Sequence, residues 1–261
     1  MLEIKDLTIQ YGDKAPVVEN FSLSLKKGEI ITIVGESGSG KSTVLSSILG
    51  LLPNGGKIIS GDIIYNGESM LSKSLNQWRE LRGTEITMIS QDSGGTLNPI
   101  RKIGKQFVEY IQTHSKMSTK EAEEKAKDMF SKVNLPDPEI IMKSYPHQLS
   151  GGMKQRVGIA MALTFHPKII LADEPTSALD VITQAQIVKE IMDLRKKFDT
   201  SIIMVTHNLG VAAYISDKII VMQNGKIVDA GNKNEVIENP KSDYTKKLLA
   251  AVPEIGGERL V

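Results

Sequence analysis

The sequence predicts an α/β fold, a mostly parallel sheet interrupted by a helical insert, on three observations. Short β-branched runs recur and most are continuously apolar; helical patterns separate several of them; and between about Ile103 and Leu149 the strand signal fades. Continuous apolar runs mark strands covered on both faces, and their alternation with helices favours parallel pairing beneath helical layers.

In chain order, strands are expected at Leu7–Gln10, Glu29–Val34, Ile58–Tyr65, Glu85–Ile89, Lys168–Ala172, Ser201–Thr206 and Lys218–Met222. Helices are expected at Lys41–Leu51, Gln155–Thr164, Thr183–Phe198 and Leu209–Ile215. Within the break, Thr119–Val133 is a charged helical run that Ser118 or Thr119 is placed to cap and that Leu135-Pro-Asp-Pro stops. Residues 92–158 are therefore read as the insert, 1–91 and 159–231 as the core, and 232–261 as a tail; a few ordinary crossover helices are the alternative from pattern alone. The tail carries one amphipathic helix around Tyr244–Ala251 and a polar Gly256-Gly-Glu-Arg end expected to fray.

Composition narrows the function classes. The 32 Lys and Arg nearly balance the 31 Asp and Glu, so nothing calls for a nucleic-acid partner. With no cysteine there is neither a disulfide nor a thiolate metal site. The N-terminus shows no signal-peptide apolar block, and runs such as Ile30–Val34 are too short to cross a bilayer. Any transport role would be that of a peripheral subunit with a separate membrane partner.

Gly35-Glu36-Ser37-Gly38-Ser39-Gly40-Lys41-Ser42-Thr43 follows one predicted strand and opens a predicted helix. The spacing fits G-x-x-x-x-G-K-[ST], the Walker A pattern. Glycines let the backbone curl so that N–H groups point inward, and the helix N-terminus favours an anion. Lys41 would neutralise the β- and γ-phosphates of ATP or GTP, and the Ser42 hydroxyl would ligate Mg²⁺. The bland alternative is a flexible Gly/Ser loop.

A second apolar run ends in two acids, Asp173 and Glu174. Carboxylates at the end of a buried strand are costly unless paired or metal-bound. Asp173 is placed to reach the Mg²⁺ shell, and Glu174 to orient or deprotonate the attacking water. Two solvated acids opening a turn before Pro175 are the alternative if the pair is read alone. His207 and Gln91 also follow strands. A lone histidine there is more often structural; beside a phosphate it could donate to a γ-phosphate oxygen or to the water. Gln91, unremarkable alone, could offer its amide oxygen to Mg²⁺.

Leu149-Ser150-Gly151-Gly152-Met153, between the Walker A loop and the acids, resembles the signature of the ATPase subunits of ABC transporters. The resemblance covers nearly the whole chain. It implies a RecA-like P-loop NTPase core with a small antiparallel β part near the N-terminus and a helical signature subdomain. It makes Tyr11 the residue that stacks on adenine, Gln91 the Q-loop glutamine, Ser177-Ala-Leu-Asp180 the D-loop and His207 the switch histidine. Ser150, Gly151 and Gly152 would grip the γ-phosphate of an ATP held by a second ATPase subunit, a copy or a related chain. Hydrolysis would then let the two part.

Ser144-Tyr-Pro-His-Gln, Leu97-Asn-Pro99, Asp180-Val-Ile-Thr-Gln-Ala-Gln186 and Asn239-Pro-Lys-Ser-Asp-Tyr-Thr-Lys-Lys-Leu-Leu are similar to the dipeptide, oligopeptide and nickel importer subgroup. Asp92-Ser-Gly-Gly-Thr96 departs from it by lacking an Asp-Pro pair, and the cysteine-bearing extension of many members is absent. The resemblance implies permease partners docking on the insert, an extracytoplasmic solute-binding protein acting indirectly, and a place on the cytoplasmic face of the membrane. Peptide import is the leading function and nickel or metal-chelate import the runner-up. An exporter ATPase is disfavoured by the subgroup matches. A soluble ABC ATPase acting on DNA or ribosomes is disfavoured by the single cassette without a long coiled coil.

Overall fold

The structure, a computed structural model, describes residues 1–177, 179–252, 254–255 and 258–259. The chain runs through β1 (Leu2–Tyr11), β2 (Val18–Leu25), β3 (Ile30–Val34), α1 (Lys41–Ile48), β4 (Gly56–Tyr65), β5 (Glu68–Ser69), α2 (Leu75–Leu81) and β6 (Ile86–Ile89). Helices dominate next: α3 (Ser93–Thr96), α4 (Ile103–His114), α5 (Thr119–Lys132), α6 (Pro138–Lys143) and α7 (Gly151–Leu163). Then come β7 (Ile169–Asp173), α8 (Val181–Phe198), β8 (Ser201–Thr206), α9 (Leu209–Ile215), β9 (Lys218–Gln223) and β10 (Lys226–Asn232). Helices α10 (Lys233–Glu238) and α11 (Asp243–Ala250) precede a final pair, β11 (Glu254–Ile255) and β12 (Glu258–Arg259). The fold is α/β with parallel strands and a small antiparallel sheet, as expected.

Two compact units emerge, Met1–Trp78 with Ser201–Val261, and Arg79–Thr200. In the first, β1 pairs antiparallel with both β2 and β4. Strand β3 lies between β8 and β9, parallel to both, and β10 closes on β9 as an antiparallel hairpin. All five residues of β3 are buried, as its unbroken Ile-Ile-Thr-Ile-Val run requires. Strands β2 and β10 were not among the expected ones. Strand β2 alternates, with Phe21, Leu23 and Leu25 buried and Ser22 and Ser24 exposed, the pattern of a sheet with one wet face. Reading for continuous apolar runs passes over such strands. For the same reason β1 extends well beyond the expected Leu7–Gln10.

Helix α1 stops at Ile48, short of the expected Leu51, where the Gly50 and Leu51 amides donate back to the Ser47 and Ser46 carbonyls. Helix α11 occupies the expected place in the tail, with Tyr244, Thr245 and Leu249 buried. Of the end expected to fray, Gly256 and Gly257 lie outside the described residues, while Glu258–Arg259 pairs with Glu254–Ile255.

In the second unit, β6 and β7 pair in parallel with Ile89 opposite Ala172. The stretch 92–158 falls within this unit and is helical throughout its regular elements. Helices α4 and α5 meet around Phe107 and Phe130, whose ring centroids lie 5.2 Å apart. Of the two expected caps, Ser118 is the one used: its hydroxyl accepts from the Glu121 amide while the Glu121 carboxylate accepts from the Ser118 amide. The Ser118 hydroxyl also donates to Glu121 Oε2 at 2.7 Å, and this bond first, then the one from the Ser118 amide, hold the Glu121 carboxyl below the usual carboxylate range. Replacing the cap, Ser118→Ala, is expected to lower the melting temperature by roughly 2–4 °C, read by thermal unfolding. Helix α5 ends at Lys132, ahead of the Leu135-Pro-Asp-Pro stop, with Asn134 just beyond its C-cap at φ 54°, and Pro138 then starts α6.

Candidate active site

Strand β3 ends at Val34, and the chain turns through Gly35–Gly40 into α1. Two glycines are dictated by this turn. A Cβ on Gly35 would lie 2.2 Å from the Met222 carbonyl oxygen of β9, so no side chain fits there. Gly40 caps α1 at φ 98°, a left-handed value that L side chains resist. The β9–β10 turn holds the far side of the loop, since the Gly225 amide donates to the Ser39 carbonyl at 3.2 Å. Glu36, Ser37 and Gly38 stay exposed, so solvent reaches the middle of the loop.

Lys41 is only 5% exposed. Its ammonium donates to the carbonyls of Gly35 at 2.8 Å and Glu36 at 2.7 Å. Bonds to neutral carbonyls such as these are weaker than bonds to phosphate oxygens, because ion-to-ion hydrogen bonds are the stronger kind, so a bound phosphate could draw the ammonium from them. Ser42 is exposed and Thr43 half-buried in the first turn of α1.

The same unit carries Tyr11 and His207. Tyr11 is half-buried, and its ring lies over Gly56, where an added Cβ would meet it at 2.6 Å. His207 is exposed between the buried end of β8 and Asn208. Its backbone is bracketed, because the Asn208 amide donates to Thr206 Oγ1 and Asn208 Oδ1 caps α9 at Gly210 and Val211.

The second unit carries the other predicted residues. Asp173 ends β7, and Glu174 follows it at φ 43°, both half-buried. The left-handed backbone at Glu174 is held by its carbonyl, which accepts from the Ser177 amide and hydroxyl. Such conformations are costly for a residue with a Cβ and collect at functional sites. Gln91 is exposed just past β6, at the same end of the β6–β7 pair as Asp173. Among the described residues no three acidic or histidine side chains form a ready-made metal cluster. Within this unit Gln91 and Asp173 offer an amide oxygen and a carboxylate, hard oxygen donors of the kind Mg²⁺ takes beside water and phosphate oxygens.

Helix α7 begins at Gly151, four residues ahead of expectation, because Ser150 caps it by accepting from the Met153 amide at 3.3 Å. Ser150 and Gly151 are exposed; Gly152 is packed, and a Cβ there would come within 2.9 Å of the Thr183 methyl. Asp180 caps α8, accepting from the Thr183 amide at 3.0 Å and hydroxyl at 2.7 Å. These bonds, the hydroxyl's first, hold its carboxyl below the usual range. Ala178, in the loop Ser177-Ala-Leu-Asp180, lies outside the described residues.

Sequence reasoning missed one support of this segment. Arg156 of α7 pairs with Glu190 of α8 through both Nη2 (3.0 Å) and Nε (3.2 Å to Oε2), both side chains being largely buried. Thirty-four positions separate the two, so no local pattern announces the pair.

Strand, glycine loop and helix together define a P-loop nucleotide-binding core. The profile of the family described as ABC transporter matches residues 18–177. The oligopeptide transport ATP-binding protein OppD of Bacillus subtilis (strain 168) is 44% identical over 259 residues, 98% of this chain and 72% of OppD. The metal-staphylopine import system ATP-binding protein CntD of Staphylococcus aureus (strain NCTC 8325 / PS 47) is 42% identical over 258 residues, 98% of this chain and 94% of CntD. The dimeric post-hydrolysis structure of the ATP-binding cassette MJ0796 bound to ADP and Pi superposes with a TM-score of 0.77 at 29% identity, over 89% of this chain and 99% of that one. The chain belongs to the ABC transporter family, as one of its ATPase cassettes.

Proposed function

We propose that this chain is the ATP-hydrolysing subunit that energises import of di- or oligopeptides through separate membrane permeases. The observation that carries the nucleotide chemistry is the buried Lys41 ammonium, held by loop carbonyls at the mouth of α1. The cargo class is supported by the match to OppD along nearly the whole chain. No helix among the described residues is long and apolar enough to cross a membrane, which accords with a peripheral place on the cytoplasmic face and with partner permeases.

Each residue then has a task. Backbone amides of the 35–43 loop, other than that of Glu36, which donates to the Tyr244 hydroxyl, bind the phosphates together with Lys41, while Tyr11 stacks on the adenine. Ser42, Gln91 and Asp173 would hold Mg²⁺, which would neutralise charge on the β- and γ-phosphates. Glu174 accepts the proton of the attacking water, and His207 donates toward the γ-phosphate oxygen as charge builds there. The exposed Ser150–Gly151 helix start reaches the γ-phosphate bound by a second ATPase subunit, with Gly152 allowing close packing and Asp180 shaping the adjoining loop. A solute-binding protein acts from the far side without touching the cassette.

The match to CntD favours a second reading, import of a metal chelate. Cargo is tested with the cassette assembled on its permeases in vesicles. ATP hydrolysis is expected to rise when the cognate binding protein is loaded with an oligopeptide. A rise with a metal chelate and none with peptide would replace the first reading by the second.

A further inference from the structure

The tail helix α11 reaches the phosphate-binding loop with one side chain. The Tyr244 hydroxyl oxygen accepts a hydrogen bond from the Glu36 amide at 2.9 Å. Glu36 is the second residue of the loop, directly after Gly35, whose close seat on β9 leaves no room for adjustment on that side. The Tyr244 ring is buried in a cluster with Val34, Val221 and Leu249, so its apolar body is fixed against the end of β3. Burial also pushes the phenol above its ordinary pKa, keeping it neutral.

The start of α11 is itself anchored. Asp229 of β10 is 4% exposed, and its Oδ2 accepts from the Lys241 amide at 2.8 Å and the Ser242 amide at 3.3 Å. The Ser242 hydroxyl then accepts from the Tyr244 amide at 3.1 Å. A buried carboxylate is expensive unless bonded in this way. Here it determines where the helix begins, and hence where the tyrosine hydroxyl arrives. The apolar cluster alone would keep α11 on the sheet. What the hydroxyl adds is a bearing for the loop: the Glu36 amide is committed to Tyr244, while the Glu36 carbonyl accepts from the Ser39 amide at 3.3 Å, so the tyrosine fixes a peptide on which the next turn of the loop is built.

We propose that Tyr244 is a positioning residue for nucleotide binding, through which the tail helix holds the entry of the phosphate-binding loop in its anion-accepting shape. The proposal rests on reading 35–43 as the phosphate-binding loop, and it ties a segment outside the nucleotide motifs to ATP affinity.

Two variants separate positioning from mere stability. Tyr244→Phe removes the hydroxyl and keeps the ring. Leu249→Ala opens the same cluster and leaves the hydrogen bond. MgATP affinity by calorimetric titration, the KM and kcat of ATP hydrolysis, and the melting temperature are measured on all three proteins. Tyr244→Phe is expected to weaken MgATP binding and raise KM roughly three- to tenfold, the size of one net hydrogen bond, with kcat within about twofold. Leu249→Ala is expected to lose more melting temperature yet bind MgATP within about twofold of wild type while folded. Unchanged affinity in Tyr244→Phe, or an equal loss in both variants, would overturn the positioning role. Failure of the wild type to bind MgATP would instead strike the loop reading beneath it, and this proposal with it.

Discussion

Glu174→Gln is expected to leave MgATP binding near wild type while lowering multiple-turnover hydrolysis by about two to four orders of magnitude, the range a general base contributes. The substitution keeps the length of the side chain and removes its basicity. It should also keep the turn, because the left-handed backbone at Glu174 has its carbonyl bonded to the Ser177 amide and hydroxyl, which the substitution leaves in place. Binding without turnover should then accumulate the ATP-bound state. Since Ser150 is exposed at a helix start, where a neighbouring subunit's phosphate could reach it, that state should appear as a paired species. Size exclusion with MgATP, of the variant alone or with a related ATPase chain, is the measurement. Wild-type turnover in Glu174→Gln would reject the base assignment. Lost turnover with no pairing under any combination would reject the two-sided grip on the nucleotide.

The parts of this site that were legible from sequence share a physical cause. A phosphate loop is specified locally: the backbone must curl between a strand and a helix, so glycines, Lys41 and Ser42 appear at fixed spacing whatever lies around them. Asp173 and Glu174 were legible because acids seldom terminate a buried apolar run without a task. The remainder depends on contacts distant in sequence. Nothing near Arg156 points to Glu190, and nothing near Glu36 points to Tyr244, 208 positions away. Most of the expected strands are buried on both faces, although Ile58–Tyr65 lies in β4, most of which is exposed or half-buried. Strand β2, wet on one side, alternates over a stretch rich in Ser and was passed over, although its period-two pattern carried the signal. In the helical stretch the Ser118 cap exposed α5, whereas α4 begins at Ile103 and its N-cap residue, Lys102, makes no side-chain cap bond to mark it.

Lys41→Ala should have the second large effect, and in a different observable. The side chain places its charge against the Gly35 and Glu36 carbonyls of the loop, on a residue 5% exposed. Truncation at Cβ removes both the cation that would meet the β- and γ-phosphates and the donors now satisfying Gly35 and Glu36. Hydrogen bonds to charged groups contribute about 1.5–3 kcal/mol each, so losing one such contact with a phosphate should weaken MgATP binding by roughly ten- to a hundredfold. Lys41→Arg should not rescue it, because a planar guanidinium is bulkier than the point-like ammonium that this cradle encloses. Glu174→Gln and Lys41→Ala thus fail at different steps, turnover in one and binding in the other. Titration calorimetry with MgATP on both variants separates them. Wild-type affinity in Lys41→Ala would mean that the nucleotide is bound elsewhere, and the roles given to Ser42, Asp173 and Gln91 would fall with it.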